Sequence, residues 1–413
     1  MQVRLRGTVA AACCVLAFAL AGCPSRVEEQ RAELGASALD RSKAAEKLPR
    51  SLSSEPEAVL LFIPPPVSPQ HPERAILTEQ FRHGAAQSLA DAGWRFRELD
   101  LAALPGSSWG SSVLAAGGNG PVVIFSYQDD FLGLLRGLVT EPGMEPATVV
   151  VALVEPRQEL PPQFLLLEFH SEELGFIAGI IAGEMTVDGH VATYGFTGDY
   201  YSDLFVAGFW QGLMLGRSGA SLRDLRVSRN EVADAKEGAR LMGEMLNRVN
   251  REYDPQFAVD FSAFWTYPLG EEFAHDVAAL PLPIVVGPVP SRDVSGGAPV
   301  TSLYYDFSAI PRFLVENAEE LGLLEVPSPL DQKQEDDETA GAERARAPRS
   351  VSPALGPRRV EIRMDSGLMK IGGFDAYRRY NPLPADLLKT VEFYLKSLQL
   401  GELEVKPELP GKT

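Results

Sequence analysis

From about residue 58 onward, short apolar runs bounded by turn residues alternate with longer segments whose apolar positions recur at helical spacing. Short buried runs read as strands and amphipathic segments as helices, so the pattern is a succession of βα units building mainly parallel sheets. Strands are predicted at residues 58–63, 122–125, 148–154, 191–195, 257–261, 284–287 and 300–304, and the structured chain resumes at 360–364 after an interruption. Helices are predicted at 76–92, 172–186, 203–216, 231–249, 271–280, 311–321 and 385–398. That count fits two α/β lobes better than one. The division expected is 57–170 with 300–326 as the N-terminal lobe, and 171–299 with 359–405 as the C-terminal lobe. Residues 327–358 interrupt the pattern with Asp336-Asp337-Glu338, Arg344, Arg346 and Arg349 and almost no aliphatic side chains after Leu330. Such a stretch buries too little apolar surface to offset its ordering entropy and reads as a disordered insertion.

Two helices carry glycine at every fourth position: Gly175, Gly179 and Gly183, then Gly208, Gly212 and Gly216. Each set lines one stripe and permits close backbone approach. The apolar stretch between Glu173 and Glu184 is shorter than the ~20 residues a membrane span needs, so the stripes predict tight packing of each helix on a sheet.

The first 22 residues read as an export signal, with Arg4 and Arg6 ahead of an apolar run from Val9 to Leu20. The run ends in Leu20-Ala21-Gly22-Cys23, which resembles the lipobox of bacterial lipoproteins and implies cleavage before Cys23 and acylation of its thiol. Residues 23–56, polar and without an apolar face, then form a flexible tether. The expected location is the bacterial cell envelope, lipid-anchored and facing the periplasm or the exterior. All three cysteines, Cys13, Cys14 and Cys23, fall in or at the end of the signal, which leaves the folded part without thiol chemistry. Lys+Arg number 38 against 56 Asp+Glu, a net charge of -18, the wrong sign for tracking phosphates, so no nucleic-acid partner is expected.

The segment Glu172-Glu173-Leu174-Gly175-Phe176-Ile177-Ala178-Gly179, followed by Gly189-His190-Val191-Ala192-Thr193-Tyr194-Gly195-Phe196 and by Phe205-Val206-Ala207-Gly208-Phe209, resembles the basic membrane protein (purine nucleoside receptor A-like) family. The resemblance is specific over about 45 residues and implies a type I periplasmic-binding-protein fold, α/β with two doubly wound parallel-sheet lobes joined by crossovers, that captures a nucleoside between its lobes for an ABC importer. The ligand loops depart from the family pattern. Pro64-Pro65-Pro66-Val67-Ser68-Pro69-Gln70-His71-Pro72 replaces its Phe-Asn loop, Gly287-Pro288-Val289-Pro290 its acidic turn, and Ser302-Leu303-Tyr304-Tyr305-Asp306 its lysine segment.

Loops after predicted strands supply the candidate ligand-binding residues: Tyr127, Gln128 and Asp129; Phe196, Asp199, Tyr200, Tyr201 and Phe205; Phe264, Trp265 and Tyr267. Aromatic faces stack planar solutes while amides and carboxylates fix hydroxyls. The alternative reading of the same residues is rim packing, with Asp199 capping the next helix. The histidines are isolated in sequence, and no nucleophile elbow, phosphate loop or His-Glu-x-x-His helix is present. No catalytic residue, metal ligand or cofactor is therefore assigned. The expected function is a substrate-binding lipoprotein whose partners are a small polar solute, an ABC permease and, through Cys23, membrane lipid. The alternative is an interaction lipoprotein that keeps the scaffold with a degenerate cleft.

Overall fold

A computed structural model describes residues 58–66, 73–103, 109–117, 120–144, 147–194, 196–228, 237, 240, 241, 244, 251, 257–260, 283–287, 299–324 and 357–408. The export signal, Cys23, the tether, the predicted helix at 271–280, the residues Phe264, Trp265 and Tyr267, and all but 357–358 of the predicted insertion lie outside these.

The first sheet holds β1 (Val59–Phe62), β2 (Arg95–Glu98), β3 (Val122–Tyr127), β4 (Thr148–Ala152) and β5 (Phe164–Phe169). Its helices are α1 (Glu73–Ser88), α2 (Trp109–Gly117) and α3 (Leu132–Val139). The chain then forms α4 (Ser171–Met185), β6 (His190–Tyr194), β7 (Phe196–Thr197), α5 (Tyr200–Gly216), β8 (Ser221–Asp224) and β9 (Val227–Ser228). It continues through β10 (Phe257–Asp260), β11 (Ile284–Val286), β12 (Thr301–Tyr305) and α6 (Ile310–Glu316). Last come β13 (Arg358–Ile362), β14 (Met369–Ile371), α7 (Asp375–Arg378) and α8 (Leu387–Gln399). Two sheets of six strands result among the described residues, ordered β13-β5-β4-β3-β1-β2 and β14-β12-β11-β10-β6-β8, and β7 pairs with β9. All pairings are parallel except that of β12 with β14. The two orders are equivalent strand for strand, each the doubly wound 2-1-3-4-5 arrangement with one added edge.

Successive side chains of a strand face opposite ways, and here both faces are covered. Leu60, Phe62, Val123, Phe125 and Tyr127 pack on one side with Phe81 of α1 and Phe307. The Phe81 and Phe125 rings stack with centroids 4.3 Å apart. On the other side Leu61, Ile63, Ile124, Val149, Val151 and Leu166 meet Val113 of α2 and Leu132, Leu135 and Leu138 of α3. Each such side chain contributes about 1.5–3 kcal/mol by leaving water.

The chain passes between the sheets three times, and this corrects the expected division of the lobes. Strand β12, expected in the N-terminal lobe, pairs with β11 in the second sheet. The segment after it crosses back and lays α6 on α1, where a Cβ on Gly84 would lie 1.8 Å from the Ser308 carbonyl oxygen. Strand β13, expected in the C-terminal lobe, pairs with β5 as the far edge of the first sheet. The chain then returns to the second sheet as β14. At each crossing a strand and the element after it belong to different lobes, which sequence proximity does not reveal.

The glycine stripes also pack differently from expectation. Helices α4 and α5 run alongside each other with the stripes face to face, helix on helix. A Cβ on Gly175 would sit 1.9 Å from the Phe205 carbonyl oxygen, one on Gly208 1.8 Å from that of Glu172, and one on Gly212 2.0 Å from that of Phe176. Only hydrogen at those positions lets the two backbones touch. Against α4 also rests α8, where Phe176 meets Tyr394 edge-on at 5.6 Å.

Candidate functional site between the lobes

In doubly wound sheets the crevice for ligand opens beyond the carboxyl ends of the strands, where strand order reverses. Here that is between β1 and β3 in the first lobe and between β6 and β10 in the second.

On the first lobe, the Ser126 hydroxyl donates to the Ile63 carbonyl at 2.7 Å and ties the ends of β3 and β1 together. Tyr127, expected to face a ligand, is instead a core residue, 1% exposed. Its ring meets Phe307 edge-on, centroids 5.3 Å apart. Its hydroxyl donates to the Arg74 carbonyl at 2.6 Å and lies 2.8 Å from Thr78 Oγ1, so it serves to seat α1. Gln128 has φ 77° and accepts a bond at Oε1 from Nε of Arg74, a buried side chain. Next to it, Leu153 has φ 55°, and the Gln128 N–H donates to the Ala152 carbonyl at 3.0 Å. Two non-glycine residues in the left-handed region, at neighbouring strand ends, store about 1–3 kcal/mol of strain each. Asp129 is exposed and accepts the Glu155 N–H at 2.8 Å, which holds the loops after β3 and β4 to one another.

On the second lobe, Asp199 is the N-cap of α5, its Oδ1 accepting the Tyr201 N–H at 3.1 Å. Phe196 lies in β7, paired with Val227. Phe205 is 1% exposed and belongs to the core under α5. Tyr201 crosses the gap: 5% exposed, its hydroxyl donates to the Val154 carbonyl of the first lobe at 2.9 Å. Burial, with Tyr305 and Glu168 nearby, holds its hydroxyl far above the usual tyrosine range. Tyr200 is half-buried and edge-on to Tyr201, centroids 5.1 Å apart. Burial raises its pKa as well, with Glu168 and Glu172 adding to the rise and Arg157 opposing it.

Arg226 fixes the start of α5. Its guanidinium, with a side chain only 2% exposed, meets both oxygens of Asp224 at 3.0 Å and reaches Asp203 at 2.5 Å. Burial alone would raise the Asp224 pKa, but the Arg226 bonds outweigh it and hold that carboxyl below its ordinary range.

Of the candidate residues, Gln128, Asp129, Asp199, Tyr200 and Tyr201 lie in the loops and helix start after strand ends, whereas Tyr127 and Phe205 are core. Glu155, Arg157, Glu168 and Glu172, which are not among the candidates, act electrostatically on Tyr200. Glu172 carried a signal, an acid opening an otherwise apolar helix; it is 4% exposed and its Oε2 has no hydrogen-bond partner.

Known structures share this architecture. An ABC transporter system solute-binding protein from Conexibacter woesei superposes with a TM-score of 0.54 at 14% identity, over 85% of this chain and 99% of that one. The fold is that of a type I periplasmic binding protein. An ABC transporter solute-binding protein from Aeropyrum pernix gives a TM-score of 0.52 at 10% identity, over 86% of this chain and 95% of its own. A transcriptional activator of the comK gene from Bacillus halodurans gives 0.54 at 14% identity, over 86% and 99%. Among periplasmic-binding-protein folds, therefore, both transport and regulatory proteins resemble this chain. No protein-family profile and no curated protein matches the sequence. No helix among the described residues is long and apolar enough to cross a membrane.

Proposed function

We propose that this chain is an extracytoplasmic substrate-binding lipoprotein that takes up a small polar solute between its lobes and presents it to an ABC permease. The observation that carries the reading is the meeting of the strand-end loops of the two sheets, Tyr201 against Val154, with polar and aromatic groups on both sides. Two of the similar structures bear solute-binding names, which supports the same reading. The lipobox-like Leu20-Ala21-Gly22-Cys23 supports anchoring through an acylated Cys23, and resemblance to the basic membrane protein family makes a nucleoside the first solute to try. Phe264, Trp265 and Tyr267, which follow β10 in the sequence, are further ligand-binding candidates beside Gln128, Asp129, Tyr200 and Tyr201.

The test is a thermal-shift screen of the full chain in detergent against nucleosides, free bases, sugars and amino acids. A solute at 100 times its dissociation constant adds about 2.7 kcal/mol to folding. One class should shift the melting temperature and lose its effect in Trp265→Ala. A second reading, an interaction protein on the same scaffold, is favoured by Tyr201 itself, a side chain of the protein already filling part of the gap. That reading predicts no shift with any class and capture of a protein partner.

A further inference from the structure

Three chain crossings join the lobes, and backbone and side-chain hydrogen bonds stitch them together. The His170 N–H donates to the Ile362 carbonyl at 2.9 Å and the Asp306 N–H to the Leu368 carbonyl at 2.8 Å. The Met364 N–H donates to Glu173 Oε2 at 2.9 Å. Arg363 donates to Glu173 Oε1 at 2.8 Å. The hydroxyls of Ser171 and Tyr305 are hydrogen-bonded across the first and second crossings.

His170 lies on the first crossing between two carboxylates that belong to different lobes. Its Nδ1 is 2.7 Å from Oε1 of Glu172 in α4, on the second lobe, and its Nε2 is 3.7 Å from Oε2 of Glu361 in β13, on the first. We propose that protonated His170 is a clasp of the hinge, holding Glu172 and Glu361 at once, and that loss of its proton loosens the crossings and frees the angle between the lobes.

The chemistry of imidazole requires this asymmetry. The cation carries N–H on both nitrogens and suits two carboxylates, whereas the neutral ring keeps one N–H and must turn a lone pair toward the other. In this structure the second contact is long. His170 Nε2 is buried without a hydrogen-bond partner, so a small closing movement toward Glu361 would give it one. The surrounding charges are Glu173 from α4, Arg363 beyond β13, and Glu168 of β5 paired with Arg359 at 3.7 Å. Arg363 also sits 3.6 Å from Glu361. The hydroxyls of Tyr200 and Tyr305 face the same cluster, each raised by burial and feeling Glu172.

The hydrogen bond to Glu172 raises the His170 pKa above 6.5; burial and Arg363 oppose it, and Glu173 adds to the rise. A raised folded-state value means the clasp contributes fully below about 6.5, the unfolded value, and is lost as pH rises through the folded one. Glu173 is raised chiefly by burial from 4.5. It moves stability in the same direction from a lower starting value.

The proposal does not depend on which solute binds, and its test needs none. Amide exchange of His170, Asp306 and Met364 is followed on the full chain in detergent from about pH 6 to about pH 9, corrected for intrinsic rates. Exchange should accelerate by roughly tenfold for each unit by which the folded pKa exceeds 6.5. It should be insensitive to pH in His170→Gln, which keeps a neutral donor. Glu361→Gln alters a largely exposed side chain and is expected to fold. It should move the midpoint to lower pH and shrink the change. A flat wild-type profile, a His170→Gln profile identical to wild type, or an unmoved midpoint in Glu361→Gln would each overturn the clasp.

Discussion

The hydroxyl of Tyr201, on the first turn of α5, donates a 2.9 Å hydrogen bond to the carbonyl of Val154, two residues beyond β4. The two residues belong to different lobes, so this buried bond joins the lobes outside the crossings. Removing the hydroxyl strands a buried carbonyl, at a cost of about 1–3 kcal/mol. Tyr201→Phe should therefore lower chemical-denaturation stability by that amount and speed amide exchange around 154–155. Unchanged exchange there would mean the bond does not hold the lobes.

The glycine faces of α4 and α5 make a sharper prediction. A Cβ at position 208 would lie 1.8 Å from the Glu172 carbonyl oxygen, a backbone atom that cannot rotate away. Gly208→Ala should destabilise the chain by about 3 kcal/mol or more through forced helix separation. Gly133→Ala, whose Cβ would meet nothing within 4 Å, serves as the control and should change stability little.

Glu173 is 1% exposed, and its two oxygens hold Arg363 and the Met364 N–H. Burial raises its pKa despite these partners, which means that the site tolerates a neutral side chain better than an ordinary ion pair does. Glu173→Gln keeps an acceptor for Met364 and should cost less than about 1.5 kcal/mol. Glu173→Ala, which strands a buried amide, should cost about 3 kcal/mol. Equal losses in the two variants by urea unfolding would contradict this.

Asp224 and Asp306 behave oppositely to His170. Burial pushes both up, but Arg226 on Asp224, and Lys370 with Ser308 on Asp306, bring the net value below 3.8. Their contribution is present above about 3.8 and is lost as pH falls through the lower folded values. The melting temperature should therefore drop steeply below about pH 4. Asp306→Asn, which removes one of the two groups, should flatten the drop.

Much of this architecture could be read from hydrophobic patterning because parallel strands buried on both faces appear as unbroken apolar runs, as at 122–125 and 149–152. The edge strands Arg95–Glu98 and Ser221–Asp224 were not legible. Their partly exposed faces admit charged residues, and the run shrinks to Arg-Phe-Arg-Glu and Ser-Leu-Arg-Asp. The glycine spacing announced close approach but not its partner, since a sheet and a second glycine-striped helix ask for the same small residues. At the site, Asp199 was legible as a cap and Tyr201 as a strand-end aromatic. Tyr127 misled because a tyrosine at a strand's carboxyl end can equally turn its ring inward and spend its hydroxyl on Arg74 and Thr78. His170 and Glu172 gain meaning only from Glu361, nearly two hundred residues along the chain, which no local pattern brings near.

The most direct test of the central claim is hydrogen exchange of the full chain with and without the solute panel of nucleosides, bases, sugars and amino acids at saturating concentration. A solute held between the lobes should protect amides at 126–129 and 153–155 of the first lobe together with 199–203 of the second. Protection of both sets by one solute class is the predicted result. No protection by any class, or protection confined to one lobe, would contradict a solute-binding role for the space between them.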